Sequence, residues 1–482
     1  MKICQMFING EFVDNLQRKM TPIINPATEQ IIGQVTQGTV EDVNAAVDAA
    51  EQAQKLWAKL PAIKRAACLR ELAQGLRERL DEFAEILAEE QGKVLSLAKA
   101  EVGVTIDYIE YMAEFARRCE GEILQSDRIN EEIFVFKEPI GVAAGILPWN
   151  FPVYSIARKV APALITGNAI VIKPSTETPI TAFEFAKIVA QSSLPKGVFN
   201  LVTGSGSVVG NAMASNPKVG IVSVTGSVAS GVAIMKAAAN NVTKVSLELG
   251  GKAPAIIMAD ADLELTTKAI LQGRLINSGQ ACSCVERVYV HEDIAEQFIE
   301  KITVAMKNAK VGNPLTDLDA DMGPLVSKAQ LEQVEATVQK AIEEGATLVC
   351  GGKRSDTKAG YYYEPTLFIN CKHDSDIMRN EIFGPVLPIT TFKDLDEAIM
   401  LANDCEFGLT SFIFTQNMHV AMRACKEIKF GETYINRENF EAMQGFHAGW
   451  RKSGIGGDDG KHGLEEYLQT HVVYVDYDAT VK

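Results

Sequence analysis

The sequence lacks any apolar run long enough to cross a membrane among its 482 residues. Its first residues read MKICQMFINGEF, with polar and acidic breaks where a signal peptide has its apolar segment. Basic residues are scarce, since 47 Lys and Arg stand against 62 Asp and Glu, for a net charge of −15. So acidic a surface repels phosphate backbones and anionic lipids, and we expect no nucleic-acid or membrane partner. The sequence therefore predicts a soluble, cytoplasmic protein.

The nine cysteines show no regular spacing, and an odd, scattered set indicates reduced thiols rather than a disulfide framework. Cys282 and Cys284 form a Cys-x-Cys pair, but there is no second pair and no cluster of His, so we predict no metal site. Internal repeats, low-complexity tracts and long linkers are also missing. The length, with 47% hydrophobic residues, predicts two or three packed domains.

From residue 141 onward, short β-branched runs alternate with helix-like segments, after a mainly helical stretch over residues 40–115. The predicted strands are 142–147, 169–173, 199–202, 220–224 and 245–249, then 255–258, 287–290 and 388–392 in a second alternating region. Such alternation is typical of parallel sheets with helices on both faces and with ligands at the carboxyl ends of the strands. We therefore predict an α/β fold with two doubly wound parallel-sheet domains.

Two alternating strands fit neither domain, one at Glu132–Lys137 and one at His471–Asp476. Strands of this type often form a small sheet that pairs with another subunit, because an exposed edge needs a partner. They could equally cap a sheet of their own domain. The residues alone leave both interpretations open.

Three segments carry residues suited to acyl chemistry. Cys282 lies among small residues in NSGQACSC, where a substrate can approach the sulfur and an activated thiol is a nucleophile. Glu248 ends an apolar strand before two glycines, where its carboxylate serves as a general base or caps the next element. Asn150, held between prolines in PWNFP, offers an amide that can stabilise an oxyanion.

Two further strand ends suit a nucleotide. Lys173 is placed to reach ribose or phosphate oxygens, and Gly226 and Ser227 begin a strand-to-helix turn whose N–H groups can hold a pyrophosphate. Residues 204–210 (GSGSVVG) approximate the dinucleotide fingerprint, but with one residue too many and no acidic residue at the expected distance. We therefore give that segment little weight as the phosphate loop.

In this order the motifs resemble those of the aldehyde dehydrogenase superfamily over essentially the whole chain. The resemblance begins at NPAT (25–28) and includes PWNFP, ELGGK, GQAC, EIFGPV (381–386) and KSGIG (452–456). It implies an enzyme that oxidises an aldehyde with NAD or NADP. It also implies that Cys282 is the nucleophile and Glu248 the general base, with the Asn150 amide and the Cys282 backbone N–H as the oxyanion hole.

The resemblance assigns a set of cofactor contacts, which are Pro148, Trp149, Lys173, Ser175, Thr176, Gly226, Ser227, Glu381 and Phe383. In NAD-preferring relatives the third residue after the strand-end Lys is usually Glu, whereas here it is Thr176, with Glu177 one place late. Adjacent residues at a strand end point to opposite sides. We therefore expect NADP to be accepted appreciably, with NAD still plausible as the working cofactor.

A domain arrangement and an assembly follow from the same resemblance. Residues 1–120 and 141–249 would form the NAD(P)-binding domain, 250–450 the catalytic domain, and 121–140 with 465–482 an oligomerisation arm. The two stray strands lie in that arm. We therefore expect a homodimer or homotetramer.

Residues 434–450 are similar to the same segment of the bacterial lactaldehyde/glycolaldehyde dehydrogenases. The similarity implies substrate contacts at Arg158, Ser283, Glu441 and His447, with Ser283 standing where that subgroup has Asn. These polar groups favour a short hydroxyaldehyde, because a long alkyl chain would leave them buried and unpaired.

Several alternatives stay open. Arg158 and Glu441 could form only a structural ion pair, or Arg158 could bind the distal carboxylate of succinic semialdehyde. A broad-specificity aldehyde dehydrogenase is also compatible with the sequence. Glu248 argues against a CoA-acylating enzyme, and the intact set of Cys282, Glu248 and Asn150 argues against a non-catalytic cofactor-binding or structural protein.

Overall fold

The computed structural model describes residues 2–13, 17–356 and 359–480. The predicted domain ranges also contain residues 1, 14–16, 357–358 and 481–482, which lie outside the described residues. The domain boundaries themselves stay a prediction. Among the described residues, no helix has both the length and the apolar character needed to cross a membrane.

The first large sheet has eight strands, five of which are parallel. In spatial order they are Gly454–Ile455, Lys244–Glu248, Val219–Thr225, Val142–Ile146, Ala169–Lys173, Phe199–Leu201, Phe7–Ile8 and Glu11–Phe12. The middle five run parallel, and the strands added at either end pair antiparallel. The strand Ala169–Lys173 is buried throughout, as expected for a parallel strand covered on both faces.

Helices cover both faces of this sheet because alternate side chains of a strand point to opposite sides. Ile170 and Ile172 join one core cluster, whereas Ala169 and Val171 join the other. The longer helices of this half of the chain are Val40–Trp57, Ala62–Glu78, Leu80–Glu90, Leu95–Ala113, Pro152–Ile165, Pro179–Gln191, Asn211–Ser215 and Val228–Ala238. The first of these begins with a capping box between Thr39 and Asp42.

The second large sheet has seven strands, all parallel to their neighbours except the first. In spatial order they are Thr347–Cys350, Thr366–Ile369, Val386–Phe392, Arg287–His291, Pro254–Ile257, Thr410–Phe414 and Glu432–Ile435. Its helices are Leu263–Leu275, Ala295–Asn308, Lys328–Glu343, Asp376–Arg379, Leu395–Asn403 and Met418–Glu427, and Gly460–Glu465 follows near the end of the chain. Two doubly wound parallel sheets confirm the predicted fold class.

Single-turn helices occur at Glu114–Arg117, Gly206–Gly210, Ala239–Asn241, Ile276–Gly279, Glu292–Ile294 and Arg451–Ser453. Two small sheets complete the fold. One is formed by Lys2–Cys4, Met20–Ile24 and Ile31–Thr36, which the sequence did not lead us to expect. The other is formed by Glu122–Gln125, Glu131–Pro139 and Leu468–Asp476.

The last of these sheets contains both stray strands, which pair antiparallel along nine residues. The interpretation that they cap a sheet of their own domain is therefore wrong, because they form a separate three-stranded sheet. Whether this sheet joins subunits stays a prediction.

Candidate active site

A cavity of about 790 Å³ lies where the carboxyl ends of the first sheet's strands face the Cys282 segment. Most residues predicted for the site line it, namely Pro148, Trp149, Asn150, Arg158, Lys173, Ser175, Thr176, Gly226, Ser227, Glu248, Cys282, Ser283, Glu381, Phe383 and Glu441. His447 is buried behind this wall and is 2% exposed. Residues as far apart in the chain as Pro148 and Glu441 thus meet at one strand edge, as parallel topology requires.

Cys282 follows a tight turn in which Asn277 and Ser278 adopt left-handed φ angles of 50° and 60°. Its Sγ lies 3.9 Å from His447 Nε2. Burial raises the pKa of the Cys282 thiol, and His447 opposes that shift. Cys284 lies outside the cavity lining and is fully buried, which raises its pKa to about 12.

Hydrogen bonds to buried side chains fix the loop that contains Asn150. The Asn150 carbonyl accepts hydrogen bonds from Lys93 Nζ at 2.8 Å and Asn277 Nδ2 at 3.0 Å. Lys93 forms an ion pair with Glu101, both side chains being fully buried. The Asn150 side-chain amide donates to the Gln280 carbonyl at 3.1 Å, beside Cys282. An amide fixed in this manner is suited to an oxyanion that forms at the sulfur.

Glu248 ends its strand with its carboxylate buried. Within the described chain neither of its carboxylate oxygens has a hydrogen-bond partner, and the nearest cation is His447, with Nε2 3.7 Å from Oε2. Burial raises the pKa of Glu248 well above its ordinary value, opposed by the charge of His447. A carboxyl group with unused oxygens and a raised pKa is suited to accept a proton from water.

A group of buried charges lies beyond Cys282. Arg158 forms ion pairs with Glu441 and with Asp459, whose Oδ2 lies 2.5 Å from its Nη2. Asn439 Nδ2 donates to Ser283 Oγ at 3.2 Å on the same side of the cavity. The ion pair that we considered for Arg158 and Glu441 does form, yet both residues also line the cavity.

The other end of the cavity carries the residues predicted for the cofactor. Among the described residues, Lys173 Nζ donates only to the neighbouring Pro174 carbonyl, at 2.7 Å, and burial lowers the pKa of Lys173 to about 8. Ser227 Oγ accepts from Ser230 N at 3.2 Å and so caps the helix Val228–Ala238. The remaining N–H groups of that first helical turn face an open space suited to a pyrophosphate.

Glu381 and Phe383 reach this space from the second sheet. Glu381 Oε1 accepts from Gly251 N at 2.9 Å, and burial raises the pKa of Glu381 to about 7. A Cβ on residue 250 would lie 2.3 Å from Glu381 Oε2, so a larger residue in place of Gly250 would displace the Glu381 carboxylate. Phe383 packs edge-on against Trp149, with ring centroids 5.3 Å apart. Donors, a buried carboxyl group and flat aromatic walls in one cleft fit a nicotinamide dinucleotide.

Sequence reasoning missed several residues of this site. Gly206, Ser207 and Gly210, in the segment that we gave little weight, line the same cavity as Gly226. The glycines that approximate the dinucleotide fingerprint could have indicated this contact. The one residue by which residues 204–210 exceed the fingerprint is accommodated in a single π-helical turn at Gly206–Gly210. Asp459 had no signal, because it pairs with Arg158 across 301 residues of chain.

Comparison with known proteins agrees with this geometry. The chain belongs to the aldehyde dehydrogenase family, whose sequence profile matches residues 12–473. It is 58% identical to lactaldehyde dehydrogenase of Escherichia coli over 98% of each chain. A crystal structure of lactaldehyde dehydrogenase from Escherichia coli superimposes with a TM-score of 0.98 at 57% identity, covering 99% of this chain and 100% of the other.

Two more distant relatives bear on the cofactor. A D-glyceraldehyde dehydrogenase (NADP+) of Picrophilus torridus is 38% identical over 98% of this chain and 96% of its own. A betaine aldehyde dehydrogenase of Staphylococcus aureus in complex with NAD+ has a TM-score of 0.96 at 36% identity, covering 99% and 95% of the two chains. The protein is thus an NAD(P)-dependent aldehyde dehydrogenase with NAD or NADP as its cofactor.

Proposed function

We propose that this enzyme oxidises a short hydroxyaldehyde, such as lactaldehyde or glycolaldehyde, to its carboxylate through a thioester on Cys282. The observation that carries the proposal is the polar wall of Arg158, Glu441 and Ser283, which shares one cavity with Cys282. The 58% identity to a lactaldehyde dehydrogenase supports the same substrate class. A hydroxyl group on the substrate gives this wall a hydrogen-bond partner that an alkyl chain lacks.

The first step is addition of the Cys282 thiolate to the aldehyde carbon. The carbonyl oxygen becomes an oxyanion, which the Asn150 side-chain amide and the Cys282 backbone N–H are placed to stabilise. One such donor is typically worth about 3–4 kcal/mol of transition-state stabilisation. The buried pair of Lys93 and Glu101 keeps Asn150 at that place and so lowers the reorganisation that the step needs.

The cofactor, when bound, supplies the hydride acceptor. Lys173, Ser175 and Thr176 would hold its adenosine ribose, Gly226 and Ser227 its pyrophosphate, and Glu381 with Phe383 its nicotinamide ribose and ring. Pro148 and Trp149 would form the floor of the nicotinamide site. Loss of hydride from the carbon bound to Cys282 leaves a thioester.

Hydrolysis then releases the acid. Glu248 takes a proton from water, the hydroxide adds to the thioester carbon, and the Cys282 thiolate leaves. The burial of Glu248 and its unused carboxylate oxygens support this role, which also disfavours CoA as the acceptor.

We also propose a homodimer or homotetramer formed through the oligomerisation arm, and a cytoplasmic location. The arm has two open strand edges, with Ile123 70% and Tyr474 65% exposed. Apolar side chains on open edges favour pairing with another subunit. Nine free cysteines support a reducing compartment.

A panel of aldehydes tests the substrate class. We expect lactaldehyde and glycolaldehyde to exceed hexanal and betaine aldehyde in kcat/KM by at least about tenfold, because each polar group left unpaired costs roughly 1–3 kcal/mol. NADH or NADPH formation at 340 nm without CoA measures the rate.

Two variants are measured in the same panel, one as the test and one as its control. Arg158→Ala should reduce the difference in kcat/KM between hydroxyaldehydes and alkyl aldehydes. Lys426→Ala, a change at an exposed residue, should leave that difference unchanged. Succinic semialdehyde is the competitor, since Arg158 could bind its second carboxylate. If that substrate gives the highest kcat/KM, the hydroxyaldehyde proposal fails while the chemistry at Cys282 stands.

A further inference from the structure

His447 sits behind Cys282 rather than in the cavity wall. Its backbone is fixed by a pair of hydrogen bonds with Asp458, at 3.0 and 2.9 Å. Its Nε2 faces both Cys282 Sγ at 3.9 Å and Glu248 Oε2 at 3.7 Å. The imidazole therefore contacts the two groups that we propose as nucleophile and base, from the side opposite the cavity.

The other ring nitrogen of His447 faces two carboxylates. Nδ1 lies 3.1 Å from Glu432 Oε1 and 3.7 Å from Glu441 Oε2. Burial alone lowers the pKa of His447, but the charges of Glu441 and Glu432 overcome this and raise it well above its ordinary value. Two carboxylates facing Nδ1 favour the protonated form of the ring.

Glu441, Asp458 and Asp459 each form an ion pair with an Arg or a Lys, whereas Glu432 forms none with either residue type in the described part of the chain. Arg158 balances Glu441 and Asp459, and Lys159 balances Asp458. For Glu432, His447 is the one cationic group within 4 Å in the chain as the structure describes it.

The second oxygen of Glu432 is also fixed. Tyr434 Oη donates to Glu432 Oε2 at 2.7 Å, from the same face of the strand Glu432–Ile435. A carboxylate held in this way fixes both the charge and the orientation of the ring that it faces.

From this arrangement we propose that Glu432 is a positioning residue, which keeps His447 protonated with Nε2 toward Cys282, so that the imidazolium favours the thiolate form of the nucleophile. The ionisation breaks the S–H bond, the proton passes to water, and the sulfur keeps the electron pair. The same imidazolium stabilises Cys282 as the leaving group when the thioester is hydrolysed. A cation beside the thiolate is what burial of the sulfur requires.

This inference rests on the proposed role of Cys282 but is tested without turnover. The rate of Cys282 alkylation by iodoacetamide, measured from pH 5 to pH 10 on the whole enzyme without aldehyde, reports the thiolate fraction. Mass spectrometry of the digested protein assigns the modified cysteine. Cys119, which is exposed and remote from the site, serves as the internal reference in every sample.

In Glu432→Gln we expect alkylation of Cys282 near neutral pH to slow about tenfold, with the same limiting rate at high pH, since a tenfold change in thiolate corresponds to about one pH unit. His447→Gln should slow it at least as much. Tyr434→Phe keeps the Glu432 charge and should therefore slow alkylation less than Glu432→Gln does, because it removes only the hydrogen bond that orients the carboxylate.

A wild-type alkylation profile in Glu432→Gln would overturn the proposal, and so would a wild-type profile in His447→Gln. Loss of turnover in Glu432→Gln with an unchanged profile would overturn it as well, because a merely structural role would produce that result. A different result would contradict the proposed function, namely full turnover by the Cys282→Ala variant. That result would not change the alkylation rates measured on the wild type and on Glu432→Gln.

Discussion

At the scale of single residues, two cysteines two positions apart have different surroundings. Cys282 lines the cavity beside His447, whereas Cys284 is fully buried outside it and has its pKa raised to about 12. The sequence identified Cys282 through its small neighbours and the family motif. It could not show that His447 lies at the sulfur, because 165 residues separate them.

We predict that Cys282→Ala abolishes aldehyde oxidation, whereas Cys284→Ala stays active within several-fold, because only the former sulfur reaches substrate. Glu248→Gln should still form the thioester but hydrolyse it slowly, giving a burst of NADH near one per active site and then a weak steady rate. Stopped-flow absorbance at 340 nm measures both phases. An inactive Cys284→Ala variant that remains folded would show that the nucleophile is assigned wrongly.

We expect the choice between NAD and NADP to depend on Thr176. Thr176 lines the cavity and Glu177 does not, its side chain being exposed to solvent. We predict that Thr176→Glu lowers kcat/KM for NADP by about tenfold or more while NAD changes little, because the new carboxylate repels a 2′-phosphate.

Thr176→Gln is the matched control, since it adds the same bulk without the charge and should retain most NADP activity. A wild-type enzyme that disfavours NADP by more than about a thousandfold, roughly 4 kcal/mol, would show that another group already excludes the phosphate.

At the scale of elements, the five parallel strands of the first large sheet and three of the second were predicted to within a few residues. The other strands of the second sheet, Thr347–Cys350, Thr366–Ile369, Thr410–Phe414 and Glu432–Ile435, were not predicted. Parallel strands are buried on both faces, so they appear as short continuous apolar runs between helical segments. The sheet of Lys2–Cys4, Met20–Ile24 and Ile31–Thr36 was missed. Its strands are short, one contains Pro22, and they pair across separate parts of the chain, so no local pattern indicates them.

The N-terminus of the helix Pro152–Ile165 is bound by the buried carboxylate of Glu101. Glu101 Oε1 accepts from the N–H groups of Val153 and Tyr154, while the same carboxylate forms the ion pair with Lys93. We predict that Glu101→Gln lowers the free energy of unfolding by about 3–5 kcal/mol, because Lys93 is left as an uncompensated buried charge. Urea unfolding followed by fluorescence measures the loss.

The double variant Lys93→Met with Glu101→Gln is the control for that prediction. It removes both charges and keeps an acceptor for the helix N–H groups, so it should be more stable than Glu101→Gln alone. Equal stability of the single variant and the wild type would mean that the pair contributes nothing to the fold.

At the scale of the whole molecule, the charged partners that sequence reasoning missed are Asp459 and Glu432, which pair with Arg158 and His447. Arg158 and Asp459 are separated by 301 positions in the chain, and His447 and Glu432 by 15. Motif spacing carries no information on such pairs, whereas strand ends are predictable because parallel topology brings them to one edge. The fold and most of the residues predicted for the site were therefore within reach of the sequence, whereas the pairing of Arg158 with Asp459 and of His447 with Glu432 was not.

The arm gives a prediction about assembly. Replacing Ile123 and Tyr474 together by Lys should shift the native mass, measured by light scattering after gel filtration, to a smaller species, because charges on open edges block strand pairing. Val242→Lys is the control, since Val242 is 90% exposed and lies outside the arm. A wild-type enzyme that elutes as a monomer would contradict the proposed assembly.

The strand Gly454–Ile455 returns to the first sheet beside Lys244–Glu248, where Leu247 pairs with Ile455 and Glu248 with Gly454. The chain from 249 to 453 is therefore an insertion between two neighbouring strands, with its entry and exit about 4.8 Å apart. Glu248 therefore lies where the chain leaves the first sheet, directly beside the strand on which the chain returns. Both crossings of the chain thus hold the end of the Glu248 strand.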